Sequence, residues 1–228
     1  MGWAKGSLAI VAVLLVMAGS WLGWRVLDAR ARTPQLLAVA NARVDPELAS
    51  LTPARIAILL RVEDPSFETN DGTDFETPGQ GLTTLTQAVA KRLYFKRFKP
   101  GIAKLELVLI SRYALNARAS KAEILQTALS VASFGNDGRG PVIGFAEGAR
   151  RWYGRELSQL SDDQYIGLVA MLLAPNALDP VRHPAANAER SARIQRLLDG
   201  ACVPTGLRDV ELAGCAVDTR PTKGVRPT

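Results

Sequence analysis

Residues 61–72 read RVEDPSFETNDG, and the way this stretch is read decides how the chain on either side is organised. Upstream, Thr52 followed by Pro53 has the form of an N-cap with proline at the first helical position. Ile56, Leu59 and Leu60 then recur at helical spacing. Pro65 disfavours helical geometry in the residue before it, so this helix ends near Glu63–Pro65. Two adjacent carboxylates, Glu63 and Asp64, therefore fall at a helix C-terminus, where the negative end of the macrodipole opposes them. On this stretch alone a solvated helix end is the better reading and a functional acid the alternative. Residues 65–82 are rich in Gly, Pro, Asp, Asn and Thr and form a long loop of the kind that often carries function.

Further along, TTLTQAVAKRLYF (Thr83–Phe95) predicts a helix with Leu85, Ala88, Val89 and Leu93 on its buried face. Thr84, Gln87 and Lys91 form a separate polar stripe on it. Gly79-Gln80-Gly81, just before this helix, has the form of a backbone phosphate cradle but lacks the Lys-Ser/Thr of a P-loop. Lys96–Lys104, KRFKPGIAK, mixes basic and aromatic residues, and an apolar helix over about 102–115 follows. Ser120 with Glu123, and Ser161 with Gln164, are capping-box pairs opening two more helices. The second of these stops at Ala174-Pro175, and a last helix runs from about Pro184 to Asp199 before Gly200. GNDGRG (Gly135–Gly140) is a glycine-rich loop. No strand pattern emerges, so the expected body is all-α.

Outward from this body, residues 6–25 predict a transmembrane helix. Gly6–Trp24 is nearly all apolar, with no charge between Lys5 and Arg25. At about 1.5 Å per residue it crosses a hydrocarbon core of roughly 30 Å. Trp3, Trp21 and Trp24 stand where interfacial aromatics anchor such a span. A cleaved secretory signal, with small residues at Ala18–Ser20, is the competing reading. Lys5 precedes the span, but Arg25, Arg30 and Arg32 follow it, offset in part by Asp28, so the charge count does not favour a C-terminal body on the outer side. Residues 26–51 read as a linker, 52–200 as the body, and 201–228 as a Pro/Gly/Thr-rich tail, partly disordered. Cys202 and Cys215 are the only cysteines of the chain. They either close a loop in the tail or stay as two unpaired thiols.

The 228 residues carry a net charge of +6 and a pI near 9.6, which suits an anionic partner: nucleic acid, a phospholipid surface or a phosphate-bearing substrate. With His183 as the single histidine and no zinc-type Cys/His spacing, a Ser-His-Asp triad and a structural zinc site are both disfavoured.

Taken together, EDPSFETNDG (63–72), TTLTQAVAK (83–91) and SKAEILQTALS (120–130) resemble three motifs of the family 51 glycosyltransferases, the peptidoglycan transglycosylases of class A penicillin-binding proteins and their monofunctional relatives. In the first, E-D-x-x-F-x-x-H-x-G, the chain matches at Glu63, Asp64, Phe67 and Gly72, with Asn70 where His is usual. In the second, G-G-S-T-I-T-Q-Q-L-A-K, it matches at Gly81, Thr84, Thr86, Gln87, Ala90 and Lys91, with Thr83 for Ser and Ala88 for the second Gln. In the third, K-D-E-I-L-E-x-Y-L-N, it matches at Lys121, Glu123, Ile124, Leu125 and Leu129, while Gln126, Ala128 and Ser130 replace Glu, Tyr and Asn. Phe134-Gly135, Trp152–Gly154, Leu172–Pro180 and His183-Pro184 resemble the family's later landmarks in order. No transpeptidase motifs follow.

The resemblance implies an all-α, lysozyme-like helical transglycosylase domain behind an N-terminal transmembrane helix. It implies the joining of lipid II units into a nascent glycan strand, with undecaprenyl pyrophosphate leaving and the anomeric centre inverting. Glu63 corresponds to the general base, and Gln126 stands where the family has its second acid. Asp64, Thr83, Thr84, Gln87 and Lys91 are the implied substrate-binding residues, joined by Lys99 and Lys104 near positions where the family keeps basic groups. Gln cannot hold a proton or a negative charge, so the leaving-group side is in doubt. The family also raises a divalent cation, Mg or Mn, as a cofactor. Membrane lipid and other cell-wall synthesis proteins are the implied partners, nucleic acid is not, and the implied location is the bacterial inner membrane with the body on the periplasmic side. A catalytically degenerate homologue that binds lipid II, glycan or a cell-wall synthesis partner, and a lytic hydrolase, are the alternatives.

Overall fold

The computed structural model describes residues 2–42 and 44–216, with side chains from Ser7 onward; the side chains of Trp3 and Lys5 and the tail beyond residue 216 lie outside what it describes. The chain opens with α1 (Gly2–Asn41), about 60 Å long at the helical rise. Its residues 7–21 are exposed, as is Trp24, as an apolar span without protein around it must be.

The expected linker over 26–51 is not a linker. The helix runs on through Pro34 to Asn41. Ala29, Thr33 and Leu37, four residues apart, are buried against the body. The Thr33 hydroxyl meets the Tyr94 hydroxyl at 2.7 Å, Arg25 Nε donates to Glu106 at 2.6 Å, and Arg30 donates to the Tyr113 carbonyl at 2.8 Å. A short 3₁₀ turn, Pro46–Ser50, is capped by Asp45 and buries Leu48. The proline and the arginines hide this segment from a hydropathy reading, because only one stripe of it is buried.

The body contains α2 (Pro53–Glu63), α3 (Leu85–Tyr94), α4 (Ile102–Ile110, continuing as a π-helical turn over Ser111–Leu115), α5 (Lys121–Val131), α6 (Phe145–Tyr153), α7 (Asp162–Met171) and α8 (Pro184–Leu198). The predicted starts have their predicted causes. Thr52, Thr84, Ser120 and Ser161 each accept from a backbone N–H one turn on, and both capping boxes are closed. The body is helical as expected, with one small addition. Ser133–Asn136 (β1) and Pro141–Ile143 (β2) pair antiparallel, with the glycine-rich loop as their turn. Strands of four and three residues are too short to show alternation.

Two buried clusters form the core. One gathers Leu59 and Val62 of α2 with Trp152, Tyr165, Leu168 and Ile194 of α6 to α8. The other gathers Ala29 and Leu37 of α1 with Val89, Leu107, Leu115 and Ile124 of α3 to α5. Leu125 packs against both.

The tail is also more ordered than its composition suggests. Cys202 and Cys215 form a disulfide, Cα to Cα 5.3 Å, and Leu212 and Cys215 are buried in the first cluster. Residues 201–216 thus belong to the body and move its boundary past 200.

Candidate active site

At the seam between the two clusters lies a cleft with two adjoining chambers, about 310 and 370 Å³. Both are lined by Glu63, Leu85, Ala88, Lys91 and Leu172. One chamber is walled by Leu59, Ala128, Val131, Phe145 and Pro175 and is largely apolar. The other is walled by residues 79–84, Arg190 and Val210 and is more polar.

Glu63 sits where the chambers meet. It has no hydrogen bond or ion pair among the described residues and keeps a partial opening to the cleft. The protein packed around its carboxylate pushes its pKa up to about 7; the Arg190 charge pulls the other way and the Asp64 charge reinforces the rise. A carboxylate free of partners, opening on a cleft and titrating near neutrality is suited to accept a proton. Lys91 is half-buried on the same cleft. Its Nζ lies 5.6 Å from the centre of the Phe98 ring, and burial lowers its pKa, with Arg92 adding to the effect.

Asp64, beside Glu63 in sequence, has a different fate. It is fully buried, and its oxygens accept from the Leu85 amide (2.8 Å), the Asn70 side-chain amide (2.9 Å) and the Ser66 hydroxyl (3.4 Å). Burial pushes its pKa up to about 6 against those hydrogen bonds and the nearby Lys121 charge. Asp64 therefore lines neither chamber. It is the centre of a knot that joins the end of α2, the loop and the start of α3. Asn70, where the family motif has His, belongs to the same knot: it also accepts from the Gly72 amide at 2.9 Å, and its carbonyl takes Lys121 Nζ at 2.7 Å. Gly72 has φ +93°, and a Cβ there would stand 2.9 Å from the Ser111 carbonyl, so no larger residue fits.

The remaining expected residues divide. Thr83 and Thr84 line the polar chamber. The Thr84 hydroxyl is already engaged, donating to the Gly72 carbonyl at 2.8 Å and accepting from the Gln87 amide. Gln87 is fully buried behind the cleft and does not line it; Lys104 Nζ reaches its Oε1 at 3.3 Å, the Leu82 carbonyl at 2.7 Å and the Thr83 hydroxyl at 3.3 Å. Lys104 thereby clamps the loop to α3. Lys99 is exposed and lines neither chamber. Gln126 is exposed as well and lines neither chamber; it lies two residues past the fully buried Ile124 and so on nearly the opposite side of α5. The α5 residues that do face the cleft are Ala128 and Val131. Nor is the Gly79–Gly81 turn open to an anion. The Gly79 amide donates to the Gly206 carbonyl at 2.9 Å and the Gly81 amide to the Leu207 carbonyl at 2.7 Å.

Arg190, unremarked in the sequence, lines the polar chamber. It is buried, and its Nε and Nη1 have no hydrogen-bond partner among the described residues. The signal was present: Asn187, Arg190, Ile194 and Leu197 form the buried stripe of α8, and an arginine in such a stripe requires a reason.

A divalent cation finds no ready donor set. Among the described residues no three His, Cys, Asp or Glu side chains come together, and the groups facing Glu63 across the cleft are the cationic Lys91 and Arg190. The chain's own residues do not fit a protein-held Mg or Mn.

A family model described as Transglycosylase matches residues 33–199. A relative from Cupriavidus necator, named as a transglycosylase, is 28% identical over 214 residues, covering 86% of this chain and 90% of its own length. Penicillin-binding protein 1B of Haemophilus influenzae is 33% identical over 119 residues, 52% of this chain and 15% of that protein. The biosynthetic peptidoglycan transglycosylase of Burkholderia cenocepacia is 31% identical over 159 residues, 64% of this chain and 63% of that protein. The match begins at Thr33, inside α1, which agrees with the burial of that residue against Tyr94. The helical architecture around this cleft is the lysozyme-like fold of that family, and the chain belongs to the transglycosylases.

Proposed function

We propose that the chain is a peptidoglycan glycosyltransferase that polymerises lipid II into glycan strands and releases undecaprenyl pyrophosphate. The observation that carries this is the unpartnered Glu63 carboxylate, raised toward neutrality, sharing one cleft with Lys91 and Arg190. Glu63 takes the proton from the attacking 4-hydroxyl of one sugar as that oxygen bonds to C1 of the other and the C1–O bond to pyrophosphate breaks. Lys91 and Arg190 supply positive charge for the pyrophosphate oxygens. Thr83 and Thr84 border the same space as donors or acceptors for sugar hydroxyls.

The surroundings suit a lipid-linked substrate. Phe95 and Phe98 stack edge to face at 5.5 Å, and Lys96, Arg97 and Lys99 beside them are exposed. Ile102 is 74% exposed and Leu105 51%, on the helix that Arg25 of α1 holds through Glu106. An apolar and basic face fixed to the end of a membrane-spanning helix favours seating at a lipid surface with anionic headgroups. Single-pass anchoring in the bacterial inner membrane, with the body on the periplasmic side, follows from this reading. Arg25, Arg30 and Arg32, which the charge count sets against that orientation, are all occupied within the fold, by Glu106, the Tyr113 carbonyl and Asp28. Other cell-wall synthesis proteins are proposed as partners on the same grounds.

The apolar face that α5 presents to the cleft favours a second reading, a homologue that binds lipid II or glycan without polymerising it. Incubation of the purified full chain with lipid II in detergent, beside Glu63→Gln, separates the two. Polymer from the wild type and none from the variant is expected. Polymer from both removes Glu63 as the base, and lipid II binding without polymer from either supports the second reading.

A further inference from the structure

The segment after α8 takes part in the cleft, although it lies beyond the residues that match the family. Its fold is self-contained. Asp209 accepts from the Thr205 amide (2.9 Å) and hydroxyl (3.2 Å), the Ala213 amide (2.6 Å) and the Gly214 amide (3.0 Å), and the disulfide Cys202–Cys215 closes the loop around it. It is tied down on α8 by Arg196, which donates to the Cys215 carbonyl at 2.6 Å, and by Arg193, which donates to the Glu211 carbonyl at 3.2 Å.

From that base the loop reaches the cleft in two ways. Its Gly206 and Leu207 carbonyls take the Gly79 and Gly81 amides, and its Val210 side chain lines the polar chamber with Glu63, Lys91 and Arg190. The two glycines fit this contact closely. Both have positive φ, +82° and +73°, and a Cβ would stand 2.7 Å from Pro204 at Gly79 and 2.6 Å from Val210 at Gly81. Gly79 and Gly81 are thus required by the loop packed on them and by their own backbone geometry, with their amides already donated.

We propose that the disulfide-closed loop 202–215 is a wall of the substrate site: it fixes the Gly79–Thr84 border of the cleft, and Val210 is a specificity-determining contact for the lipid-linked sugar. This rests on the polymerase reading for the identity of the substrate, and on geometry alone for the wall. Without the disulfide, the loop loses the closure that holds its carbonyls on the glycine turn, and the border of the cleft opens locally while the helical core stays folded.

The test uses the full chain in detergent micelles, as wild type, as Cys202→Ser with Cys215→Ser, and as Val210→Ala. Amide exchange in peptides covering 76–84 and 162–171 is read alongside the KM and kcat of lipid II polymerisation. The double serine variant is expected to exchange about tenfold faster or more at 76–84, with 162–171 unchanged. Its KM is expected to rise about fivefold or more, with kcat within about twofold. Val210→Ala is expected to raise KM by about threefold and to leave exchange at 76–84 unchanged. Unchanged exchange at 76–84 in the double variant overturns the wall, and an unchanged KM in Val210→Ala overturns the contact. If the oxidised wild type makes no polymer, the polymerase reading falls, while exchange still decides the wall and lipid II affinity of the Val210→Ala variant, reduced or not, decides the contact.

Discussion

The helices α3 and α5 pack together at one end of the cleft and present it with opposite chemistry. From α3 and the loop before it come Lys91, Thr83 and Thr84, with Arg190 of α8 alongside. From α5 come Ala128 and Val131. Glu63 lies between, and the contrast explains its state. The apolar side removes water from the carboxylate and favours its neutral form, while the cationic side pulls it back toward ionisation. Neither alone gives a base poised near neutrality: full burial without Arg190 leaves a protonated acid, and a solvated carboxylate beside two cations is a weak base. The positive charge that the proposed reaction uses for a departing pyrophosphate lies on the α3 and α8 side of the cleft, away from α5.

The largest effect should come from removing the proposed base. Glu63→Gln is expected to lower polymerisation by about 10²- to 10⁴-fold. It should also stabilise the fold at alkaline pH. The folded pKa of Glu63, about 7, lies above its ordinary value of 4.5, so the folded state holds more protons than the unfolded state between those values. Stability is therefore lost as pH rises through that window, and above it Glu63 costs the fold up to about 3 kcal/mol, less whatever its opening to solvent relieves. Thermal melts of wild type and Glu63→Gln at pH 8 and pH 5 check this: the variant should be the more stable at pH 8, with the gap closing at pH 5.

Next in size is the cationic side. Lys91→Met is expected to cost about 10²-fold in kcat, the scale of losing one preorganised charge at a developing oxyanion. Arg190→Met should also lower kcat, and it carries a sharper signature. In the wild type, kcat/KM should rise with pH along a limb centred near 7 as Glu63 loses its proton. Because the Arg190 charge lowers the Glu63 pKa, its removal should move that limb to higher pH. A limb that stays in place in Arg190→Met would show that the two groups do not sense one another.

Asp64→Asn should act on stability instead of chemistry. The asparagine can still accept from the Leu85 amide, but its own NH₂ then faces the Asn70 NH₂ in a buried site. A loss of about 1–3 kcal/mol is expected, seen in denaturant melts, with kcat kept at temperatures where the variant is folded. A loss of activity without a loss of stability would return Asp64 to the substrate side.

These residues also mark how far the sequence could be read. The helix starts were legible because caps are local: Thr52, Thr84, Ser120 and Ser161 carry their own signals. That Glu63 and Lys91 share one cleft was legible through motif order. What was not legible is long-range. Glu63 and Asp64 are neighbours in sequence with the same chemistry, and only the path of the loop back to Leu85 and Asn70 separates them. The linker reading failed because Ala29, Thr33 and Leu37 bury a narrow stripe among charges and a proline. The order of residues 201–216 was not legible because loop 202–215 takes it from Asp209, the disulfide and α8, none of which leaves a periodic pattern. Arg190 was missed because a buried arginine in an otherwise polar helix looks like one more surface charge.

The smallest expected effect tests the contrast between the two helices from the other direction. Gln126→Glu restores the residue type that the family motif carries at this position. If the leaving-group side of the reaction depended on it, activity should rise substantially. Gln126 is exposed and lines neither chamber, and about 200° of helical turn separates it from Ile124, the residue of α5 buried most deeply in the core. A carboxylate there is solvated and acts on Glu63 only through a screened interaction. The change in kcat/KM should therefore stay within about twofold, and the pH limb should not move. Ala128→Glu, on the cleft face of the same helix, is the contrasting variant. It places a second carboxylate in the chamber that already raises the Glu63 pKa, so like-charge repulsion should drive the limb upward. A large gain from Gln126→Glu with no shift from Ala128→Glu would mean that α5 turns on binding substrate, and that the apolar wall described above is not the one the sugar meets.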